Sequence, residues 1–183
     1  MKRLAAGILF VFICSTASWA AMKVGDIAPV FTLEAALGGK TFTFNLAEAL
    51  KKGPVVLYFY PKSFTPGCTI EAHEFAENAA SFAAVGATLI GVSNDTIATQ
   101  IEFSSRECRD KFPVGADADG KVIRAYDSQM LKLGGLGPMM ASRVSYVIAP
   151  DDRIIYAFQD SSPHKHISNT LAVVRQWRAD HPR

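Results

Sequence analysis

The residues of this chain best suited to redox chemistry lie in "PKSFTPGCTIEAHEF", residues 61–75. The stretch holds Cys68, one of only three cysteines. A thiol is a weak nucleophile and its thiolate a strong one, so the question is what would hold negative charge on that sulfur. Thr65 reads as a helix N-cap, and Pro66 suits the first helical position, where a missing N–H costs nothing. Cys68 then sits in the first turn, near unpaired backbone N–H groups and the positive end of the helix dipole. The Thr65 hydroxyl lies within reach of the same spot and can donate to or accept from a bound oxygen species. On position alone two readings stand: a reactive thiolate, or a small apolar residue buried as free cysteines commonly are.

A strand must deliver this turn and a helix must carry it away. "GPVVLYFYP" supplies the strand: Val55 to Tyr60 is continuously apolar, β-branched and aromatic, as expected of a strand covered on both faces. The helix is expected from Pro66 to Ala84, with Phe75, Ala79 and Phe82 on its buried side. "ATLIGVSND" reads as a second buried strand, making a βαβ unit with the first. A hairpin is expected earlier, around Gly38-Gly39 in "FTLEAALGGKTFTF", and another later, around Pro150-Asp151-Asp152. Between them lie a helix near 96–110 that includes Cys108, a short strand at "FPVGAD", and an unassigned Met- and Gly-rich segment, 128–142. A final helix presents Ile167, Leu171, Val174 and Trp177. The fold class is α/β, with a mixed central sheet flanked by helices and an N-terminal hairpin extension.

The first residues, "MKRLAAGILFVFICSTASWA", have the build of a cleaved secretory signal: a basic start, a short apolar run and small residues before Ala20. The run is short for a membrane span. The alternatives are an uncleaved or a lipidated N-terminus, and bulky Ile13 before Cys14 argues against the lipid anchor. Residues 21–183 read as one domain, exported and periplasmic, without stable membrane association, a monomer or weak dimer. The 19 basic residues, less Lys2 and Arg3, equal the 17 acidic ones. Such a balance, without a basic cluster, argues against nucleic acid as a partner. Two cysteines then remain, Cys68 and Cys108, which in an exported chain suggest a disulfide, permanent or formed during turnover. No C-x-x-C pair and no zinc-like spacing occurs, and neither cofactor nor metal is expected.

"P-K-S-F-T-P-G-C" matches the pattern P-x-x-x-T-x-x-C, and here the chain resembles the peroxiredoxins, in particular the peroxiredoxin Q or bacterioferritin comigratory protein branch. The likeness continues through "CTIEAHEF", "LIGVSND" and "RVSYVI". It implies a thioredoxin-like fold and a thiol peroxidase that reduces hydrogen peroxide or organic hydroperoxides with electrons from a thioredoxin-like thiol reductant. On that resemblance Cys68 attacks the peroxide, Thr65 orients it and Pro61 shields the sulfur. Arg143 stabilises the thiolate, and Glu71 holds the arginine. Without the resemblance, Arg143 reads as a surface arginine before a strand and Glu71 as an acid in a helix's first turn.

One departure matters. Many members of the branch place a resolving cysteine five residues after the first, where this chain has His73. The resemblance then points to Cys108 as the resolving thiol, with a one-cysteine enzyme as the alternative. His73 is expected on the helix surface. His164 and His166 are expected to be solvated beside a turn, and Met130, Met139 and Met140 to pack in core or loop. The other functional class left open is a thioredoxin-fold binding or chaperone-like protein that keeps the motif without turnover. Copper delivery would want C-x-x-x-C, and residue 72 is alanine.

Overall fold

A computed structural model describes residues 21–130 and 139–182. The expected signal segment lies outside the described residues, as do positions 131–138 of the Met- and Gly-rich segment.

Seven strands form one mixed sheet in the order β2-β1-β5-β4-β3-β6-β7. β1 (Thr32–Leu37) and β2 (Lys40–Asn45) make the expected hairpin around Gly38 and Gly39 and join the sheet through β1 and β5 (Val114–Ala116). β3 (Val55–Phe59) pairs in parallel with β4 (Thr88–Ser93), and α2 (Pro66–Ala84) connects them. β6 (Val144–Ile148) runs antiparallel to β3 on its other side, and β7 (Ile154–Gln159) closes that edge. The shorter helices are α1 (Leu46–Leu50), α3 (Ile97–Arg106) and α4 (Lys121–Ala125), and α5 (His164–Asp180) ends the chain.

The unbroken apolar run of β3 has a simple cause. Val55, Leu57 and Phe59 enter one core layer, with α1 and α4, while Val56 and Tyr58 enter the other, with α2, α3 and α5. Alternate side chains point to opposite faces, and here both faces are covered. α2 buries Cys68, Glu71, Ala72, Phe75, Ala76 and Phe82. Ala79, expected on that side, is half-buried; Ala72 and Ala76 take the close contacts instead.

The helix near 96–110 is shorter than expected. α3 stops at Arg106, with Glu107 as C-cap, and Cys108 lies in the turn beyond it. Arg109 and Asp110 take positive φ values of 51° and 57°, so the chain leaves the helical region there.

The layer behind Cys68 is aromatic. Tyr58 stacks on Phe75 with ring centroids 4.4 Å apart, and Phe75 also meets Phe82 and Phe112. Tyr58 lies in register with Gly91 of β4, and a Cβ at position 91 would come within 2.5 Å of the tyrosine ring. Gly91→Val therefore forces Tyr58 off Phe75, and overpacking of this kind costs about 2 kcal/mol or more. Urea unfolding followed by circular dichroism measures it; unchanged stability would contradict this packing.

Candidate active site

β3 and β4 both end, at their C-terminal tips, beside the start of α2, the position where parallel strands commonly open a crevice. The loop after β3 is tightly held. Tyr60 donates to Gln100 Oε1 at 2.8 Å, and the Ser63 N–H donates to Asp95 Oδ2 at 2.7 Å. Gln100 Nε2 donates to Ser93 Oγ and to the Gly115 carbonyl. This buried network anchors the turn between strand and helix, and Phe64 within it adopts φ 64°, strained for a bulky side chain. The Phe64 ring rests edge-on against Phe103, 5.2 Å between centroids, with the Arg106 guanidinium over its face.

Thr65 is the N-cap of α2, but its side chain makes no capping bond. Instead its hydroxyl donates to the Lys62 carbonyl at 2.8 Å. With the proton committed there, the oxygen keeps lone pairs for a donor arriving from solvent. Pro66 occupies the first turn, and Cys68 is the third residue of the helix, 2 % exposed.

Arg143 stands immediately before β6, and the pairing of Val144 with Phe59 brings it to the exit of β3. There it is buried and spends all three sides of its guanidinium. Nε donates to the Ser161 carbonyl at 3.0 Å, Nη1 to Glu71 Oε2, and Nη2 approaches Cys68 Sγ at 3.4 Å. Gly67 makes room for this: a Cβ there would stand 3.2 Å from Nη2. The arginine is not the surface residue that its sequence context alone suggests.

Glu71 is likewise not a first-turn acid. It is the sixth residue of α2, fully buried, one turn from Cys68 on the same face. Burial pushes its carboxyl up, while the Arg143 guanidinium bonded to Oε2 pulls the other way. Its second oxygen, Oε1, has no hydrogen-bond partner among the described residues and faces His166 Nδ1 at 4.0 Å.

His166 was expected in solvent and is fully buried. The bend after β7 folds over it, and Phe158 packs edge-on at 4.9 Å. Its Nε2 lies 3.0 Å from the Asp160 carbonyl, which can only accept, so Nε2 carries the proton. Nδ1 then accepts from the Ser145 hydroxyl at 2.8 Å. Burial, helped by the nearby Arg143 charge, keeps the imidazole neutral by lowering its basicity. His164 remains exposed, paired with Glu74 at 2.6 Å. The histidine beside the site is thus one that sequence reasoning left outside it. Its signal was available in the spacing Ile167, Leu171, Val174, which puts His166 next to the buried stripe of α5.

A recess of about 270 Å³ opens in front of Arg143, lined by Pro61, Met130, Ser142, Gln159, Asp160 and Ser161. Pro61 therefore shares the recess with Arg143. Met130 was expected in core or loop packing; it is 38 % exposed on this rim. Met139 and Met140 are half-buried, and Met139 Sδ accepts from Arg124.

Cys108 is fully buried in the same aromatic layer as Cys68, and both thiols are free. Burial, together with Glu107 and Asp110 beside it, pushes the Cys108 thiol well up. His73, expected on the surface, is half-buried and meets Glu107 Oε2 at 2.7 Å.

A buried thiol in the first turn of a helix, under a buried arginine at the end of a mixed sheet, is an arrangement suited to thiol chemistry on a thioredoxin-like scaffold. The AhpC/TSA family matches residues 24–157, and the chain belongs to that family. It is a peroxiredoxin, a thiol-dependent peroxidase, and it is similar to the peroxiredoxin Q and Bcp proteins. The crystal structure of peroxidoxin BcpB from Mycobacterium tuberculosis superposes with a TM-score of 0.75 at 34% identity, covering 85% of this chain and 97% of that one. Peroxiredoxin Bcp of Bacillus subtilis is 31% identical over 155 residues, 84% of this chain and 96% of the relative. The bacterioferritin comigratory protein of Xanthomonas campestris, whose structures concern alkyl peroxide reduction, aligns with a TM-score of 0.70 at 27% identity over 80% of this chain and 92% of that one.

The buried neutral state of His166 has a consequence for stability. The folded protein refuses a proton that an unfolded histidine accepts near pH 6.5. Stability present above that pH is therefore lost as pH falls below it. Between about pH 7 and about pH 5 the wild type is therefore expected to lose melting temperature relative to His166→Gln. Equal slopes in the two proteins would show that His166 accepts its proton without cost.

Proposed function

We propose that this peroxiredoxin reduces hydroperoxides through Cys68, with Cys108 as the resolving thiol. The observation that carries the reading is the 3.4 Å approach of Arg143 Nη2 to Cys68 Sγ, made by a guanidinium whose other sides are taken by Glu71 and Ser161. A positive charge fixed against the sulfur costs no reorganisation when charge moves onto a peroxide oxygen.

The Cys68 thiolate attacks the terminal oxygen of HO–OR. The S–O bond forms, the O–O bond breaks, and RO⁻ leaves and takes a proton to become water or an alcohol. Cys68 becomes a sulfenic acid, two electrons poorer. Thr65, its hydroxyl donating to the Lys62 carbonyl, accepts from the hydroperoxide O–H and turns the terminal oxygen towards the sulfur. Pro61 closes one side of the approach. Glu71 keeps Arg143 from swinging into the recess. The Cys108 thiol then displaces the sulfenic oxygen as water, forming a Cys68–Cys108 disulfide, and a dithiol reductant of thioredoxin type restores both thiols. Met130 on the rim gives the recess an apolar lip, which supports organic hydroperoxides as substrates beside hydrogen peroxide; the alkyl peroxide reduction associated with the Xanthomonas relative points the same way.

For residues 1–20 the proposal is export to the periplasm with cleavage after Ala20, supported by the basic start and short apolar run. The enzyme then works as a monomer or weak dimer. N-terminal sequencing of the protein from a periplasmic fraction should begin at Ala21; a start at Met1 would refute export by cleavage.

Peroxide consumption with a thiol reductant tests the chemistry. Cys68→Ser should abolish turnover, and Thr65→Val should lower the rate of Cys68 oxidation by about 10²-fold. Cys108→Ser should oxidise at Cys68 at the wild-type rate but accumulate sulfenic acid, visible by mass spectrometry. Turnover surviving in Cys68→Ser would overturn the assignment.

A further inference from the structure

If Cys108 resolves Cys68, it must first leave a closed seat. It is fully buried among Tyr58, Phe75, Phe103 and Phe112. A buried, protonated thiol is a poor nucleophile, so leaving the seat also exposes it to the water that lets it ionise. The turn that carries it is fastened to α2 on both sides of the cysteine. His73 Nε2 meets Glu107 Oε2 at 2.7 Å, and Arg109 Nη1 donates to Glu77 Oε1 at 3.2 Å. His73 and Glu77 are four residues apart and share one helix face, while Glu107 and Arg109 flank Cys108. Arg109 and Asp110 are held at positive φ, a form that persists only where surroundings impose it.

We propose that His73 and Glu107, assisted by Glu77 and Arg109, form a clasp that holds the resolving turn closed on α2, and that this clasp must part before Cys108 reaches the Cys68 sulfenic acid. The inference rests on Cys108 being the resolving thiol. His73 is then a positioning residue for the second chemical step, at the helix position where related enzymes carry the resolving cysteine itself. The step it governs is Cys68–SOH plus Cys108–SH giving the disulfide and water. The S–O bond breaks, the S–S bond forms, and the thiol proton leaves with the hydroxide.

The two pairs contribute unequally. Arg109 and Glu77 are well exposed, and such pairs contribute little. The His73 and Glu107 side chains are 34% and 16% exposed, and a bond so sheltered favours the closed turn by roughly fivefold. Its removal should raise the open population, and with it the rate of resolution, by the same factor.

The test is rapid-quench alkylation with mass spectrometry after one equivalent of hydrogen peroxide, on wild type, His73→Ala, His73→Gln and Glu107→Ala. Cys68 oxidation should run at one rate in all four. Disulfide formation should be about fivefold faster in His73→Ala and in Glu107→Ala, and return towards wild type in His73→Gln, whose amide can still donate to Glu107. A 68–108 cross-link forming at one rate in all four overturns the clasp alone. A sulfenic acid that persists in all four without that cross-link overturns the Cys108 assignment and the clasp with it.

Discussion

A guanidinium withdrawn from water must be met by acceptors on every side, and at the depth of Arg143 an unmet one would cost several kcal/mol. The fold supplies three: the Ser161 carbonyl, the Glu71 carboxylate and the Cys68 sulfur. Each arrives from a different element. β6 delivers the arginine to the tip of β3, α2 carries the sulfur and the carboxylate one turn apart, and the segment between β7 and α5 brings the carbonyl. These acceptors are interdependent. Loss of the carboxylate would leave the guanidinium to the sulfur and one carbonyl; loss of the guanidinium would leave Glu71 buried without its counter-charge.

The rest of the site divides into a firmly packed part and a turn held to α2 by side chains. The polar network of Tyr60, Ser63, Ser93, Asp95 and Gln100 fixes the turn before α2 and holds Phe64 in its strained backbone form. The aromatic layer of Tyr58, Phe75, Phe82 and Phe112 fixes the helix behind it. Cys108 sits in that same layer but on a short turn with two left-handed residues, attached to α2 through side chains more than through backbone. On the proposed mechanism, reactivity at Cys68 draws on the rigid part and resolution on the turn. His73 lies at the border between them.

Much of this was readable from local pattern. The apolar run at Val55, the two hairpin turns and the Thr65-Pro66 helix start each declare themselves within a few residues, because propensity and burial agree there. Cys68, Thr65 and Pro61 follow from the motif. Arg143 and Glu71 did not follow from their neighbours, since nothing near either residue says that β6 and α2 converge; only the family resemblance joined them. His166 was missed because the bend that buries it is made by Asp160 to Pro163, a stretch that reads as a solvated loop. The end of α3 was misplaced for a similar reason: "RECRDK" has ordinary helix formers, and the left-handed conformations at Arg109 and Asp110 come from packing that no local signal announces.

The catalytic role proposed for Arg143 rests on a guanidinium fixed against the Cys68 sulfur, where charge moves onto the peroxide as the O–O bond breaks. The most direct measurement is the rate at which hydrogen peroxide oxidises Cys68, read on the Cys68 peptide by mass spectrometry, in wild type and in Arg143→Met. Oxidation about tenfold slower or more is expected in the variant, because a preorganised donor aimed at developing charge contributes about 10²-fold or more. Equal rates would contradict that role.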